Sequence, residues 1–263
     1  MIIIKIGGGE GINLEGIIQD LAQLKESFII VHGANALRDK LAEDLKQPKK
    51  VVTSVSGYSS VYSDEHLIDL MMMAYAGVRN KRIVELCHQQ DINAVGLSGL
   101  DGKVVQGVRN KGIRVYQDGK LKVLRDYSGK PEAINKALLD LLLDNGYVPV
   151  LTVPIIDEQN SAINTENDDV VRVLQKAMRA GTVINLIEAP GFLENKDDEG
   201  SLIKKIASGE LEAREQQVDG RMKRKMLAVR KLFEHGASRV IIADGRAEHP
   251  VTDALSGKGT VIE

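Results

Sequence analysis

The chain has 263 residues, 43% of them hydrophobic, and a formal net charge of -2 at pH 7. This length is enough to bury one large core or two modest ones. The nearly balanced charge excludes a protein that binds nucleic acid or membrane surfaces through its overall charge. The single cysteine, Cys87, excludes an intrachain disulfide and a cysteine-based metal site, and no apolar run approaches the length of a membrane span. These features predict a cytoplasmic globular protein.

Short β-branched runs alternate with longer amphipathic segments along the chain. The apolar runs, typical of strands buried on both faces, are 2–6, 28–32, 92–97, 147–153, 182–187 and 238–243. The amphipathic segments, typical of helices, are 13–25, 35–46, 65–90, 131–145, 168–180 and 222–236. This alternation predicts an α/β sandwich around a largely parallel sheet, in which ligands bind at the carboxyl ends of the strands.

Two segments interrupt the alternation. Residues 51–63 alternate like a β-hairpin, and residues 103–125 contain short strands around Asp118-Gly119, a hairpin turn signal. We expect these hairpins to form a lid or a surface for a partner. A loop-like stretch over 155–162 predicts a boundary between two lobes.

Glycines follow the first strands, where a ligand is expected. Lys5 precedes Gly7-Gly8-Gly9 at the end of the first strand, and His32-Gly33-Ala34 ends the second. Glycine turns leave backbone N–H groups free to bind an anion. One such turn is more simply a tight connection, but several on one sheet edge, one with a lysine, favour a phosphate site.

The second half of the chain adds polar residues at two helix starts. Asn164 ends an extended stretch, and Asp168 begins a predicted helix, where its alternative role is that of a helix cap. A cluster of cations opens the helix near 222, which is unfavourable beside the positive helix N-terminus unless an anion binds there. That cluster is Arg221, Lys223, Arg224 and Lys225.

Several catalytic signatures are absent from the sequence. No Gly-Lys pair is followed by Ser or Thr, which excludes a P-loop, and GGGEGI lacks the last glycine of a dinucleotide fingerprint. GLSGL does not complete a nucleophile elbow. The five histidines are scattered, so we expect no metal held by protein side chains.

Taken together, the motifs resemble a known family. They are, in chain order, KIGGGEGIN, VHGAN, VGLSGLDG, YSGKPEAINKALLDLLLDNGYVPVLT, AINTENDD, EAPGFL, GRMKRK and ALSGKGTVI. Over essentially the whole chain they resemble the amino acid kinase family, in its acetylglutamate kinase branch. The resemblance is strongest to the kinases that phosphorylate aminoadipate or glutamate held on a small acidic amino-group carrier protein in lysine and arginine biosynthesis.

The resemblance implies a fold and a reaction. The fold is the three-layer sandwich of carbamate kinase type, with a substrate-binding lobe and hairpin lid over 1–158 and a nucleotide-binding lobe over 159–263. The reaction transfers a phosphoryl group from ATP, with Mg²⁺, to a side-chain carboxylate, which gives an acyl phosphate. The resemblance also implies a homodimer formed through the helix at 65–90.

The resemblance also assigns roles to residues. Lys5 and Lys225 flank the transferred phosphoryl group, and Asp168 orients them. The implied nucleotide contacts are Gly7, Gly8, Glu188, Ala189, Pro190, Gly191, Phe192 and Leu193, and the implied substrate contacts are Gly33, Ala34, Val61 and Asn164.

Several positions depart from the family pattern, among them the helix entry Asn167-Asp168-Asp169. Val61 stands where the family has an arginine that pairs with the substrate α-carboxylate. Ala34 replaces a glycine of the second turn, and Glu188 replaces an Asp or Asn of the nucleotide segment. These changes leave the three implied catalytic residues intact and indicate phosphoryl transfer to an altered substrate.

The segment 103–125 carries seven cations and one acid, Asp118. Such a patch steers an acidic protein partner, although a solvated hairpin is the alternative. The cations are Lys103, Arg109, Lys111, Arg114, Lys120, Lys122 and Arg125.

Two alternative functions remain. One is a kinase for a free acid such as N-acetylglutamate, and the other is a catalytically idle homologue that binds a ligand.

Overall fold

The computed structural model describes residues 1–53, 55, 59–117, 120–195, 197–217 and 220–263, without the side chains of residues 59, 60, 117, 217 and 220–225. Within these residues the strands are β1 (Ile2–Ile6), β2 (Phe28–His32), β3 (Val51–Thr53), β4 (Ser59–Val61), β5 (Ala94–Ser98), β6 (Val105–Arg109), β7 (Ile113–Gln117), β8 (Lys120–Leu124), β9 (Gly129–Ile134), β10 (Val148–Thr152), β11 (Ile155–Ile156), β12 (Ala162–Ile163), β13 (Thr182–Ile187), β14 (Lys205–Ile206), β15 (Arg239–Asp244) and β16 (Thr260–Ile262). The α-helices are α1 (Leu14–Leu21), α2 (Asn35–Asp44), α3 (Glu65–Met71), α4 (Asn80–Gln89), α5 (Lys136–Asp144), α6 (Asn167–Met178), α7 (Leu211–Gln217), α8 (Gly220–Glu234) and α9 (Pro250–Leu255).

The central sheet contains every strand that the apolar runs predicted. Its order is β14-β16-β15-β13-β1-β2-β10-β5, and its pairings are parallel except for β15 with β16. The six predicted runs are the neighbouring strands β15, β13, β1, β2, β10 and β5. The sequence did not predict the two remaining strands, β14 and β16, which lie at one end of the sheet.

Side chains from the two faces of the sheet enter two separate cores. Ile3 and Val31 pack in one core with residues of α3, α5, α6 and α8. Ile4 and Ile30 pack in the other core with residues of α1, α4 and α9. Because consecutive residues of a strand point to opposite faces, near-continuous apolar strands are what two helical layers require. The predicted three-layer sandwich is confirmed.

A second sheet lies beside the carboxyl ends of the central strands. Its order is β12-β11-β6-β9, and β11 with β12 is an antiparallel pair. Two antiparallel hairpins, β3-β4 and β7-β8, correspond to the two predicted inserts. The predicted turn Asp118-Gly119 lies outside the described residues. The lobe boundary at 158/159 falls between β11 and β12, and the division into lobes stays a prediction.

The predicted helix over 131–145 is wrong in its first part. Residues 129–134 form β9, which pairs antiparallel with β6, and the helix begins only after Asn135. The Asn135 side chain caps α5 by accepting a hydrogen bond from the Leu138 N–H at 3.3 Å. Pro131 lacks an N–H group and is tolerated because β9 is an edge strand. Pairing with β6 therefore overrides the local helical pattern.

The predicted helix over 65–90 contains a π-helical segment. Met72–Arg79 is π-helical and lies between α3 and α4. Such segments are rare in proteins, and those that occur often lie at functional sites. Here the segment carries Tyr75, whose side chain reaches the start of α2. No helix in the described part of the chain is long and apolar enough to cross a membrane.

Candidate active site

Strand alternation places Lys5 on the face of β1 that α6 covers. Lys5 follows Ile3 by two residues, so both side chains point to the same face. The Lys5 Nζ lies 3.0 Å from Asp168 Oδ1, in the first turn of α6, and the lysine side chain is only 13% exposed. The carboxylate of Asp168 therefore fixes a nearly buried ammonium group at the carboxyl end of the central strand.

The two predicted glycine turns pack directly against each other. Gly33 N donates to Ile6 O, and Ala36 N donates to Gly8 O, both at 2.9 Å. A Cβ added to Gly8 would lie 2.6 Å from the Asn35 nitrogen and 2.7 Å from the Ala34 nitrogen. Only glycine fits between these backbone groups at its present position. The close approach brings the N-terminus of α2 beside the first glycine turn.

This arrangement fits a bound polyphosphate. Backbone nitrogens of Ala34 and Asn35 face Gly8, and Lys5 supplies a positive charge on the adjoining strand. At the entry to α6, Thr165 Oγ1 and Asn167 Oδ1 are buried and have no hydrogen-bond partner among the described residues. Anions bind where helix N-termini, backbone amides and a cation meet. The unpaired polar atoms indicate that a polar ligand completes the site.

His32 holds the second turn and is not an acid or base for catalysis. Its ring is fully buried, its Nε2 accepts from Asn80 Nδ2 at 3.1 Å, and its Nδ1 faces Gly33 O at 3.3 Å. Burial lowers the pKa of His32 to about 3, and the nearby positive charges of Arg79 and Lys81 act in the same direction. The imidazole is therefore neutral at physiological pH and has a structural role.

Asn164 is held by a buried polar network that the sequence did not reveal. Its Nδ2 donates to Ser63 Oγ at 3.0 Å, and its backbone N–H donates to Tyr127 O at 2.6 Å. Ser63 is completely buried at the base of the β3-β4 hairpin, and its N–H donates to the Asp126 carboxylate at 3.3 Å. The network joins Asn164 to the hairpin predicted as a lid.

The predicted substrate contacts differ in their packing from the predicted phosphate contacts. Val61 is half-buried and packs against the core that contains Ala34. Tyr75 is almost fully buried, and its hydroxyl donates to Asn35 Oδ1. Burial raises the pKa of Tyr75 to about 12, whereas the nearby Arg38 charge and a hydrogen bond with the Ala34 backbone act in the opposite direction. The sequence did not predict a role for Tyr75, because it lies on an apolar helix face with no other distinguishing feature.

The predicted nucleotide segment follows β13. The exposed Glu188 carboxylate accepts the Gly11 N–H at 2.7 Å and lies against Gly9. Ala189 and Pro190 are half-buried, whereas the side chains of Phe192 and Leu193 are buried. The Phe192 N–H donates to Thr260 Oγ1 at 2.8 Å. The segment is therefore fixed at both ends, and its contact with a nucleotide stays a prediction.

Lys225 lies in α8, but its side chain is outside the described residues. Position 225 is one helical turn before Ala228 and Val229. These two residues line a cavity of about 20 Å³ together with Lys5 and Asp168, a volume that holds about one water molecule. The helix that carries Lys225 thus reaches the Lys5–Asp168 pair, and the catalytic role of Lys225 stays a prediction.

Protein ligands for a metal ion are not grouped in the described part of the chain. No set of three or more His, Cys, Asp or Glu side chains there is placed to hold a metal. Mg²⁺ keeps most of its water and is commonly bound through substrate phosphates. Lys5 and the backbone N–H groups are hydrogen-bond donors, so they suit phosphate oxygens and not a metal ion.

Comparison with known proteins identifies the family. The model of the Amino acid kinase family matches residues 1–244. The chain belongs to the amino acid kinase family. The "[LysW]-aminoadipate kinase" of Thermus thermophilus is 42% identical over 268 residues, covering all of both chains, and the Deinococcus radiodurans protein of that name is 40% identical, covering all of this chain and 91% of the relative. A "[LysW]-aminoadipate/[LysW]-glutamate kinase" of Sulfolobus acidocaldarius is 29% identical over the full length of both.

Solved structures confirm the fold. N-acetylglutamate synthase from Neisseria gonorrhoeae aligns with a TM-score of 0.79 at 19% identity, over 99% of this chain and 58% of that one. Carbamate kinase from Giardia aligns with a TM-score of 0.69 at 15% identity, over 99% of this chain and 97% of the other. The amino acid kinase fold therefore persists where most of the sequence has changed.

Proposed function

We propose that this protein phosphorylates the side-chain carboxylate of aminoadipate or glutamate held on an acidic amino-group carrier protein, with ATP as donor. The observation that carries the proposal is the Lys5–Asp168 pair beside the interlocked turns at Gly8 and Gly33. The names of the relatives, which cover the full chain at up to 42% identity, support the carrier-linked acid.

The site suits transfer between two anions without covalent catalysis. Charge spreads over the transferred phosphoryl oxygens in the transition state, and fixed ammonium and amide groups stabilise it. Lys5 would hold this charge, with Lys225 as its partner, and Asp168 would keep Lys5 in place. Mg²⁺ on the nucleotide would neutralise further phosphate charge. The acceptor carboxylate is ionised at neutral pH, so the reaction needs no general base, which agrees with the neutral, structural His32.

The β7-β8 hairpin supports an acidic protein as the partner. Its strand register places Arg114 opposite Val123 and Tyr116 opposite Leu121, on one face of the hairpin. Tyr116 is 70% exposed, and Leu121 and Val123 are 57% and 58% exposed. Exposed aromatic and aliphatic side chains beside cations are the composition of a protein-binding surface. We assign this face to the carrier protein.

Arg109 does not belong to that surface, although the sequence groups it with the other cations. Its Nε donates to Asp126 O at 2.7 Å, and its guanidinium lies 4.0 Å from the centre of the Tyr127 ring. These contacts hold the segment in which the Tyr127 carbonyl accepts the Asn164 N–H. Charge reversal at Arg109 would therefore disturb the site itself, and tests of docking belong at Lys111 and Arg114, whose side chains are exposed.

An ATP-dependent hydroxylamine trap tests the reaction, because acyl phosphates become hydroxamates. The acceptors are free N-acetylglutamate, free aminoadipate, and carrier-linked glutamate and aminoadipate. Signal only with a carrier-linked acid supports the proposal. Signal with a free acid transfers the function to a small-molecule kinase, and silence with all four acids despite ATP binding supports an idle homologue.

Charge reversal tests the partner. Lys111→Glu with Arg114→Glu should raise the KM for the carrier-linked acid at least about tenfold, and the effect should shrink as salt is added. Lys25→Glu with Lys204→Glu is the matched control, because both lysines are exposed and lie outside the hairpin. Equal effects of the two double variants would contradict docking on the hairpin.

Assembly and location belong to the same proposal. Met72, Met73 and Val78 are 36%, 42% and 56% exposed on the π-helical segment, which supports a homodimer through the helix at 65–90. Sedimentation of the protein with and without Met73→Glu would test the dimer. The cytoplasmic location stays a prediction.

A further inference from the structure

The proposed acid substrate presents two carboxylates to the enzyme. One accepts the phosphoryl group, and the other stays negative throughout the reaction. A carboxylate that leaves water without a cationic partner is strongly destabilised. Val61 offers no such partner, because its half-buried side chain packs against the core. The second carboxylate therefore requires a cation elsewhere on the substrate side.

Arg38 is placed to provide that cation. It lies one turn into α2, where its N–H donates to Ala34 O at 2.9 Å. Helical side chains tilt toward the helix N-terminus, so a residue four positions after Ala34 lies over the substrate turn. The Arg38 side chain is only 11% exposed. Burial raises the pKa of Tyr75 and the Arg38 charge lowers it, which places Arg38 close to the hydroxyl that donates to Asn35 in the same turn.

Hydrogen bonds to Asp39 orient the Arg38 guanidinium and occupy only part of its donors. Its Nε and Nη2 donate to the same oxygen, Asp39 Oδ1, at 2.9 and 2.6 Å. The other Asp39 oxygen accepts from Lys49 at 2.6 Å. Nη1 of Arg38 makes no hydrogen bond to a residue that the structure describes. Asp39 therefore fixes one edge of the guanidinium and leaves the edge formed by Nη1 and Nη2 for a second carboxylate, in the bidentate geometry that arginine favours.

The fixed end of this arrangement adjoins the lid hairpin. Lys49, which holds Asp39, lies two residues before Val51, and Val51 pairs with Val61 across the hairpin. The hydrogen bond from Lys49 to Asp39 thus links α2, which carries Arg38, to the start of the hairpin that contains Val61.

We propose that Arg38 binds the non-reacting carboxylate of the acid substrate and thereby selects an α-carboxylated acid. This inference rests on the proposed function. It makes Arg38 a specificity-determining residue, distinct from Lys5 and Asp168 at the phosphoryl group.

A cycle of two enzymes and two acceptors tests the assignment. The acceptors are carrier-linked aminoadipate and carrier-linked 5-aminopentanoate, which has the same reacting carboxylate and no α-carboxylate. The native protein should prefer aminoadipate at least about tenfold in kcat/KM, the value of one hydrogen-bonded charge. Arg38→Met should lose this preference by losing activity on aminoadipate alone, and Arg38→Lys should keep part of it. Arg82→Met, at an exposed arginine of α4, is the matched control.

The results separate the possible failures. A full preference retained by Arg38→Met, or an equal loss on both acceptors, overturns the assignment. Calorimetric binding of both carriers without ATP completes the test. If the native protein binds aminoadipate more tightly and Arg38→Met does not, while neither turns over, the proposed reaction fails and the assignment of Arg38 stands. Equal binding of both carriers by the native protein overturns the assignment.

Discussion

The phosphoryl side and the acid side of the candidate site are built by different means. On the phosphoryl side, Gly8 packs against the backbone of the second turn without space for a Cβ, and one ion pair fixes Lys5. On the proposed acid side, side chains make the polar contacts, because Asn164 donates to Ser63 and Arg38 donates to Asp39. Backbone geometry tolerates few substitutions, whereas a side chain is replaced by one mutation. The comparison indicates that the phosphoryl side of this protein is harder to change by mutation than the acid side.

Removing the cation of the phosphoryl side should have the largest effect. Lys5→Met should lower kcat about 100- to 1000-fold, as loss of one transition-state donor does. The measurement is hydroxamate formation at saturating substrate. Lys25→Met, at an exposed lysine, should keep the native rate. A rate within threefold of native for Lys5→Met would remove Lys5 from the mechanism.

A methyl group at Gly8 should disrupt the packing of the two glycine turns and destabilise the protein. Gly8→Ala forces Cβ against the Ala34 and Asn35 nitrogens, so the free energy of unfolding should fall by about 3 kcal/mol. Gly9→Ala meets only the flexible end of Glu188, and its loss should stay below about 1 kcal/mol. Urea denaturation of both variants makes the comparison. If both variants lost the same free energy of unfolding, the close packing around Gly8 would not be what stabilises the turns.

Acid should destabilise the protein through His32, which lies in the second glycine turn. Because the pKa of His32 is lowered by burial, its proton binds to the unfolded chain first, and stability falls as pH drops below the unfolded pKa. Between pH 7 and pH 5 this residue should cost about 2 kcal/mol of the free energy of unfolding. His32→Gln should be less stable than native at pH 7 but lose less on acidification. Parallel pH slopes for both proteins would contradict a neutral buried His32.

The acid side should respond to loss of a single hydroxyl. Ser63→Ala removes the acceptor that holds Asn164 Nδ2, so the KM for the acid should rise about tenfold while the KM for ATP stays constant. Ser63→Thr keeps the hydroxyl and should restore the native KM. If Ser63→Ala instead lowered kcat and both KM values together, the network would serve the whole fold and not the acid.

The smallest effect is expected where the phosphoryl side carries a negative charge of its own. Glu188 accepts the Gly11 N–H and would repel a nucleotide phosphate nearby. Glu188→Gln keeps the size of the side chain and should lower the KM for ATP roughly threefold, the scale of an exposed charge. A rise in that KM would instead make the carboxylate a favourable contact, for example through Mg²⁺.

The sequence predicted the placement of Lys5 and Asp168 better than the contacts around Asn164, and the catalytic roles stay predictions. The family resemblance placed Lys5 and Asp168 together, and their charged groups lie 3.0 Å apart, whereas strand and helix ends alone left Asp168 as a possible helix cap. The bond from Asn164 to Ser63 spans 101 residues, and no local pattern announces it. Tyr75 and Asp126 became visible only when their burial and partners were known.

The fold shows the same division between strong and weak signals. Strands buried on both faces were read correctly from continuous apolar runs. Edge strands such as β14, with two residues, are too short to leave a pattern. Residues 131–134 followed a helical pattern and became a strand because β6 supplied hydrogen bonds. Long-range pairing decided each difference.

Strand β1 joins the two halves of the chain in one sheet. Every residue of β1 lies between one of β2, from the first half of the chain, and one of β13, from the second half. Neither half closes its sheet alone, and a chain cut at the loop after β11 would leave two fragments with exposed, aggregation-prone strand edges. Such fragments would recover the site only by folding together.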